Sequence, residues 1–340
     1  MDVAAFRALE PLCWRAPSAH NTQPWRLDHR AAEVRVGWDP ANALPASDPS
    51  GRDLWLSVGA FVETCLVVAA DAGLRVGFVP DHCAEDRRVG WLRGSGSRYD
   101  SPFGAAQVRG RRTHRGVFSA GPPARVVAAA DAMAREAGGA LRVVPDADLL
   151  ARLLRVADRQ LYSDPAVVDE LRCWLRLTPA HPGYHRDGLT DRCLGLSRAE
   201  ATGLRAAMAG YPVLRRLGLP RLLAAAAGNP LARGGAVLVL VGPSGPDDSG
   251  LVGFGRVLMR IWLALEAAGM AAHPLSQLLD AAPTREVLGS VLGVPPDRLL
   301  HVARVGRPAG TPTRSARRVG DLGRARRPVS TGDSKSGDER

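Results

Sequence analysis

Ser18, Asn21 and Gln23 lie in one short stretch, Ala16-Pro17-Ser18-Ala19-His20-Asn21-Thr22-Gln23-Pro24-Trp25, whose residue types suit a ligand. Pro17 and Pro24 hold the chain extended and leave nearby N–H and C=O groups outside regular structure. The hydroxyl and two amides both donate and accept, and Trp25 supplies an apolar wall. A planar heterocycle with a hydrogen-bonding edge needs that combination. The same residues also suit a plain helix-to-strand connector in which Ser and Asn cap and turn. A second cluster, Arg111-Arg112-Thr113-His114-Arg115, gathers three guanidinium groups and a hydroxyl. Arginine forks bind phosphate bidentately, and a helix start just after the cluster is expected to add free N–H groups and positive dipole. A solvated basic turn is the competing reading in an arginine-rich chain.

The elements that must carry these clusters are legible in the hydropathy pattern. A helix over residues 3–14 precedes the first cluster, and a strand pair over 25–39 follows it. A long helix over 54–73 is apolar nearly all round, which marks a buried central helix. Strands are expected at 75–79 and 88–93, and residues 94–104 read as a Gly/Ser/Pro linker. After the arginines, Pro122-Pro123 opens a helix to about 137, followed by a strand at 140–145 and amphipathic helix over 147–178. Residues 179–233 are irregular, with helical pieces near 198–209 and 220–226. A strand at 234–242, a second long apolar helix over 251–269, a short helix over 284–292 and a strand at 299–305 complete the pattern. The two apolar helices repeat each other: Gly59 and Gly73 are spaced as Gly255 and Gly269 are, ending Ala-Gly-Leu and Ala-Gly-Met. A period of about half the chain predicts a duplicated domain, not a solenoid.

At 340 residues, 46% of them hydrophobic, the chain can bury one large or two ordinary cores. No uninterrupted apolar run is long enough to span a bilayer, and the basic-then-apolar start of a signal peptide is absent, so the cytosol is the expected compartment. Cys13, Cys65, Cys83, Cys173 and Cys193 form no C-x-x-C pair and are expected to be buried reduced thiols. The net charge is +11, but residues 307–340 hold nine Lys/Arg against four acids, so +5 of it belongs to that tail. The folded body is therefore only mildly basic, and residues 321–340 read as a disordered, solvated basic tail rather than a nucleic-acid contact. His181 and His185 are separated by Pro182-Gly183, which keeps them off one helical face and argues against a metal site. No H-E-x-x-H, G-x-x-x-x-G-K-[ST] or G-x-S-x-G motif is present, and Gly253-Phe254-Gly255 lacks a third glycine.

Ala16 to Trp25 matches A-P-S-x-x-N-x-Q-P-W at every specified position, and Arg111, Thr113 and Arg115 match R-x-[ST]-x-R. Together they resemble the two signature segments of the nitroreductase-like FMN flavoprotein family, whose α+β fold is normally a homodimer. In that family the arginine segment opens the chain and holds the FMN phosphate. The second segment follows the next helix and reaches the flavin bound largely by the other subunit. Here the order is reversed. The first half keeps the ring segment without an arginine segment ahead of it, and the second half keeps the arginine segment without a ring segment. This is similar to the two-domain Acg-like branch, and the resemblance covers most of residues 3–320. It implies two fused halves forming a pseudo-dimer: 1–104 with the ring motif, and 105–320 with a lid-like insertion at about 179–233.

Carried over residue by residue, the resemblance implies that Pro17, Ser18, Ala19, Asn21 and Gln23 meet the isoalloxazine and ribityl region. Arg111, Arg112, Thr113 and Arg115 would hold the phosphate and ribityl hydroxyls. Pro274, Leu275, Ser276 and Gln277 occupy the place where the family sets backbone amides near the flavin N5. Arg317 or Arg318 matches a C-terminal basic residue closing on the phosphate, or simply begins the tail. His20 and His114 are possible proton donors or plain turn histidines. The implied function is FMN-dependent oxidoreduction, with NAD(P)H or another donor reducing the flavin and a nitro- or quinone-type molecule accepting electrons. No metal and no catalytic nucleophile are called for. A lid over one flavin offers an alternative, an FMN-sequestering or storage protein without NAD(P)H turnover, and the basic tail offers a third and weakest one, a nucleic-acid partner. Expected partners are small molecules, with neither nucleic acid nor membrane. A monomer with internal pseudo-two-fold symmetry is expected, with a homodimer as the other possibility.

Overall fold

The computed structural model describes residues 1–318. The chain opens with α1 (Val3–Cys13), whose first turn is capped by the Asp2 carboxylate accepting from the Ala5 N–H. After the Ala16–Trp25 segment come β1 (Trp25–His29) and β2 (Glu33–Trp38), the central helix α2 (Arg52–Asp71), and the hairpin β3 (Val76–Cys83) and β4 (Arg88–Gly94). These four strands form one antiparallel sheet in the order β1-β2-β4-β3. By length and composition α2 is long and apolar enough to cross a bilayer, although Glu63 interrupts its apolar run. Its apolar surface is instead taken up by the protein core, with 83% of its most apolar window buried.

The second half begins with α3 (Ala105–Gly110), β5 (Phe118–Ala120), α4 (Ala124–Glu136) and β6 (Ala140–Val144). The chain then runs through α5 (Ala147–Ser163), α6 (Pro165–Trp174) and β7 (Leu175–Arg176), and the stretch expected as an insertion, 179–233, holds β8 (Leu189–Thr190), α7 (Asp191–Leu194), α8 (Arg198–Leu214) and α9 (Leu219–Ala226). The half closes with β9 (Ala236–Val241), α10 (Asp248–Ala267), β10 (Ala271–Pro274), α11 (Gln277–Asp280), α12 (Ala282–Leu292) and β11 (Leu299–Pro308). Its sheet has the order β10-β11-β9-β6, and β5 pairs with the end of β11.

Three expectations are corrected here. The amphipathic stretch over 147–178 is two helices, because Pro165 lacks an N–H and Asp164 caps a new start by accepting from Ala166 and Val167. The arginine segment does not lead into a helix start. It follows the C-terminus of α3, and α4 begins only beyond β5, so no helix dipole assists it there. Among the cysteines, Cys13, Cys65 and Cys193 are buried, but Cys83 is half-buried and Cys173 is exposed on α6; all five are free thiols. The expected disordered tail over 321–340 lies outside the described residues.

The two halves share a connectivity: two strands, a long buried helix and two more strands, in the spatial order first-second-fourth-third. In the first half β1 and β2 are joined by a tight turn, whereas β6 and β9 are separated by all the elements from α5 to α9. The helices α2 and α10 cross at Gly59 and Gly255, and the contact is reciprocal. A Cβ on Gly59 would lie 2.0 Å from the Val252 carbonyl oxygen, and one on Gly255 would lie 2.3 Å from that of Leu56. Residue i of each helix thus meets residue i−3 of the other, the pattern of a two-fold axis. Both helices end alike: Gly73 and Gly269 take φ of +82° and +71°, and the Leu74 and Met270 N–H groups donate to Ala69 and Leu265. Near the crossing, the buried Glu63 carboxylate of α2 receives Arg256 and Arg260 of α10 at 3.0 and 3.4 Å and the Tyr99 hydroxyl at 2.6 Å.

Candidate functional site

The Ala16–Trp25 segment is a strained loop docked on the start of α2. Among the described residues four non-glycine residues have positive φ, and three are here: His20 (44°), Asn21 (57°) and Gln23 (53°). Such conformations persist only where surrounding contacts hold them. The Ser18 hydroxyl accepts from the Gln23 N–H at 2.9 Å, and the Ala19 N–H reaches the Ser57 hydroxyl of α2 at 3.4 Å. Trp25 does not form a ligand-facing wall. It is buried in the core, stacked on Phe61 with centroids 4.6 Å apart and met edge-on by Trp14. The polar ends of Asn21 and Gln23 are already engaged by the protein. Asn21 Nδ2 donates to the Gly188 and Ala316 carbonyls, each at 3.2 Å, and Gln23 Nε2 donates to Arg186 O at 2.9 Å. Their oxygens accept from Arg317 Nη1 at 2.8 Å and from the Arg318 N–H at 3.0 Å. The two amides therefore tie the insertion and the C-terminal segment to the loop.

Behind the loop lies a knot of arginines. The Arg15 carbonyl accepts from Arg111 Nη2 at 3.2 Å and from Arg317 Nη2 at 3.1 Å, so two buried guanidinium groups hang from one oxygen. Neither has a carboxylate partner among the described residues. Arg111 Nε and Nη1, Arg15 Nε and Arg317 Nε are buried donors without an acceptor. Burial, then the charges of Arg15 and Arg112, push Arg111 down to about 9. Arg15 falls to about 10 through burial, Arg112 and Arg314, and Arg317 falls well below its ordinary range for the same kind of reason. Concentrated, desolvated positive charge with orphaned N–H groups is a site asking for an anion. Arg111 also lies over the Trp262 ring, 5.4 Å from its centroid.

The other residues named from the sequence spread around this knot. Arg112 folds back onto the α3 carbonyls of Gly110 and Arg111, and burial with Arg314 nearby lowers it. Thr113 bridges to Ala272 beside β10, and Arg115 Nη1 donates to Cys193 O of the insertion at 3.0 Å. Arg317 and Arg318 are both part of the folded body; Arg318 pairs with Asp187 at 2.8 Å, and Asp187 also holds Arg176. Pro274 ends β10 without an N–H to give, and the Leu275 N–H is bound to Val302 O, so only Ser276 and Gln277 of that quartet keep an amide for a ligand. His114 is taken up by its own turn, with Nε2 3.1 Å from Val117 O. His20 is held below its ordinary range by burial and Arg115, with Glu170 and Asp53 opposing, which favours a neutral ring.

Sequence reasoning missed four residues here. Arg15 and Asp187 are described above. Arg304, wholly buried on β11, donates to Pro230, Gly234, Arg115 and Gly116 carbonyls and so fixes the end of the arginine segment. Asp53, at the start of α2, is paired with Arg52 at 2.9 Å and hydrogen-bonded by Ser276; Arg52 bridges on to Asp280 at 2.7 Å. Only Arg15 carried a usable signal, its place one residue before the first motif.

No protein-family model matches the chain. Over 311 residues it is 28% identical to a Mycobacterium tuberculosis protein named "Putative NAD(P)H nitroreductase Rv3131", covering 88% of this chain and 85% of the relative. It is 42% identical over 62 residues to a protein of that organism named "Putative NAD(P)H nitroreductase acg", covering 18% of this chain and 19% of the relative. Along most of its length the chain is thus similar to proteins named nitroreductases. Its fold is α+β. Solved structures that overlap it in part include the FMN-dependent nitroreductase NfnB of Mycobacterium smegmatis in complex with NADPH. That overlap has a TM-score of 0.37 at 21% identity, over 61% of this chain and 87% of the other. Iodotyrosine deiodinase bound to FMN and 3-iodo-L-tyrosine overlaps at 0.36 and 15% identity, over 62% and 93% of the two chains.

Proposed function

We propose that this nitroreductase-like chain is an oxidoreductase that binds FMN in one composite site, takes electrons from NAD(P)H and passes them to nitro- or quinone-type acceptors. One observation carries the reading. The buried, carboxylate-free pair Arg111 and Arg317, hung from the Arg15 carbonyl, supplies orphaned donors for a phosphate dianion directly behind the strained loop. Arg111 comes from one half of the chain and the loop from the other, so the site is composite if the chain is a fusion of residues 1–104 and 105–320. The reciprocal glycine crossing supports that fusion.

In this reading Arg111 and Arg317 hold the phosphate, with Arg15 and Arg112 at its margin and Thr113 and Arg115 toward the ribityl chain. Pro17, Ser18 and Ala19 face the ring. Asn21, Gln23 and Arg318 set the distance between the loop, the insertion and the C-terminal segment. The N–H groups of Ser276 and Gln277 are available to the ring edge. FMN, when bound, supplies the acceptance and release of hydride and electrons. The chain's own part is to anchor the phosphate, orient the ring and keep water away. A second reading, FMN storage without nicotinamide turnover, draws on the engagement of Asn21 and Gln23 by the insertion, which covers the loop.

The test is spectroscopic. Purified protein, reconstituted with FMN, is expected to show a bound-flavin spectrum that bleaches anaerobically with NADPH or NADH and recovers on adding a quinone. Protein that stays colourless after reconstitution would sink both readings. Bleaching by dithionite but by neither nicotinamide would favour storage.

A further inference from the structure

Outside the arginine knot, α8 and α9 meet in a tip formed by Val213, Leu214, the turn Arg215–Leu217 and the first turns of α9. The inward side of this tip is already satisfied. Tyr211, Leu219 and Leu223 pack with Met208 and Val168 in a small core of their own, and the Tyr211 hydroxyl donates to Tyr162 O on α5 at 2.6 Å. The outward side is apolar as well. Val213, Leu217 and Leu222 are 74%, 78% and 65% exposed, the largest values among the exposed large hydrophobic residues of the described chain. Arg215, Arg216 and Arg221 are exposed between them. No Asp or Glu occurs from residue 201 to residue 246, a stretch with five arginines.

We propose that this tip is a docking surface for anionic lipid. Protruding branched apolar side chains with cations between them match a membrane interface in both parts. The tip itself carries no acid; Asp164, which caps the neighbouring α6, and Asp169 within it act on Tyr211 on its inward side. The leucines and Val213 enter the headgroup–acyl boundary, and the guanidinium groups meet the lipid phosphates. Charge selects this occupant over a second copy of the chain. A two-fold contact through the tip would set Arg215, Arg216 and Arg221 against the same arginines of the other copy. The tip shares no residue with the proposed flavin site, and the proposal does not depend on that site.

The test is flotation of the full chain with vesicles of phosphatidylcholine alone or with about 30 mol% phosphatidylglycerol. The protein is expected to float with the anionic vesicles at low salt, to release at high salt, and to ignore the neutral ones. Two variants probe the two parts: Leu217→Ser with Leu222→Ser, and Arg215→Gln with Arg216→Gln and Arg221→Gln. Each is expected to weaken partitioning about tenfold or more, since each arginine near such a surface is worth about a factor of five. Every altered side chain is exposed, so thermal melts are expected to stay near wild type and confirm that folding is intact. Absence of flotation by the wild type would overturn the proposal. So would flotation of both variants at wild-type strength, which would assign binding to another basic segment. A wild-type dimer in light scattering that the leucine variant converts to monomer would make a second copy the occupant and overturn it too.

Discussion

Arg111 is a costly residue for the fold by itself: buried, over Trp262, with two donors unpartnered and Arg15 and Arg112 for neighbours. A residue that helps the ligand more than the fold should separate the two in experiment. Arg111→Met is expected to weaken FMN binding about 10- to 100-fold, the range of a charged hydrogen bond or two. It should leave the melting temperature of the apo-protein unchanged or raise it, because an uncompensated buried charge is gone. Flavin-fluorescence titration and melts of apo-protein check both halves. A lower melting temperature with undiminished affinity would make Arg111 structural. A second residue with a distinct signature is Asp280, pushed up to about 7 by burial and by Asp53, against the pull of Arg52. Its folded value is raised, so its contribution to stability is full below the ordinary carboxyl range and is lost as pH rises through about 7. Asp280→Asn cannot ionise. Its melting temperature relative to wild type should therefore shift in the variant's favour by about 1–3 °C between about pH 5 and about pH 8.5. His301, held down to about 4 by burial, works in the other direction at acid pH, but it is common to both proteins and largely cancels in the difference.

At the scale of elements, the decisive contact is the crossing of α2 and α10. Gly59 and Gly255 let the backbones meet, and a methyl group at either would stand inside the van der Waals radius of a carbonyl oxygen. Gly59→Ala is expected to destabilise by about 3 kcal/mol, the scale of an overpacked core without room to yield. Gly253→Ala, on the same α10 but with nothing within 4 Å of the new Cβ, is expected to stabilise by about 0.5–1 kcal/mol through helix propensity alone. Urea unfolding of the two variants side by side is the measurement, and equal effects would refute a special crossing. The sequence announced these glycines only as a spacing. That they touch each other could not be read from it, because a spacing within each helix says nothing of the rotation of one helix against another.

For the whole molecule, the reversed order of the two motifs predicts one flavin per chain. Titration of apo-protein with FMN should saturate at about one equivalent. Two equivalents of equal affinity would contradict a single composite site. The insertion bears on that site through few groups: Asp187 gathers Arg176 and Arg318, while Gly188 and Arg186 receive the Asn21 and Gln23 amides. The sequence marked residues 179–233 as irregular but could not show that they close on the first motif, some 160 residues earlier in the chain.

The amino-acid sequence by itself determined most elements, the matched glycine spacing, the two motifs and so the family resemblance, because these rest on local periodicity, prolines and short-range residue types. Tertiary structure alone decided which side chains share a site. Arg15, Arg304, Asp53 and Asp187 came beside the two motifs, and Trp25 became a core residue, only when sheets and helices brought distant segments together. Tertiary structure also decided that the Arg111 segment follows a helix C-terminus, that Leu275 has no amide to offer, and that Arg317 lies inside the fold. Burial and hydrogen-bond partnership are properties of the folded surroundings, and no spacing within a motif encodes them.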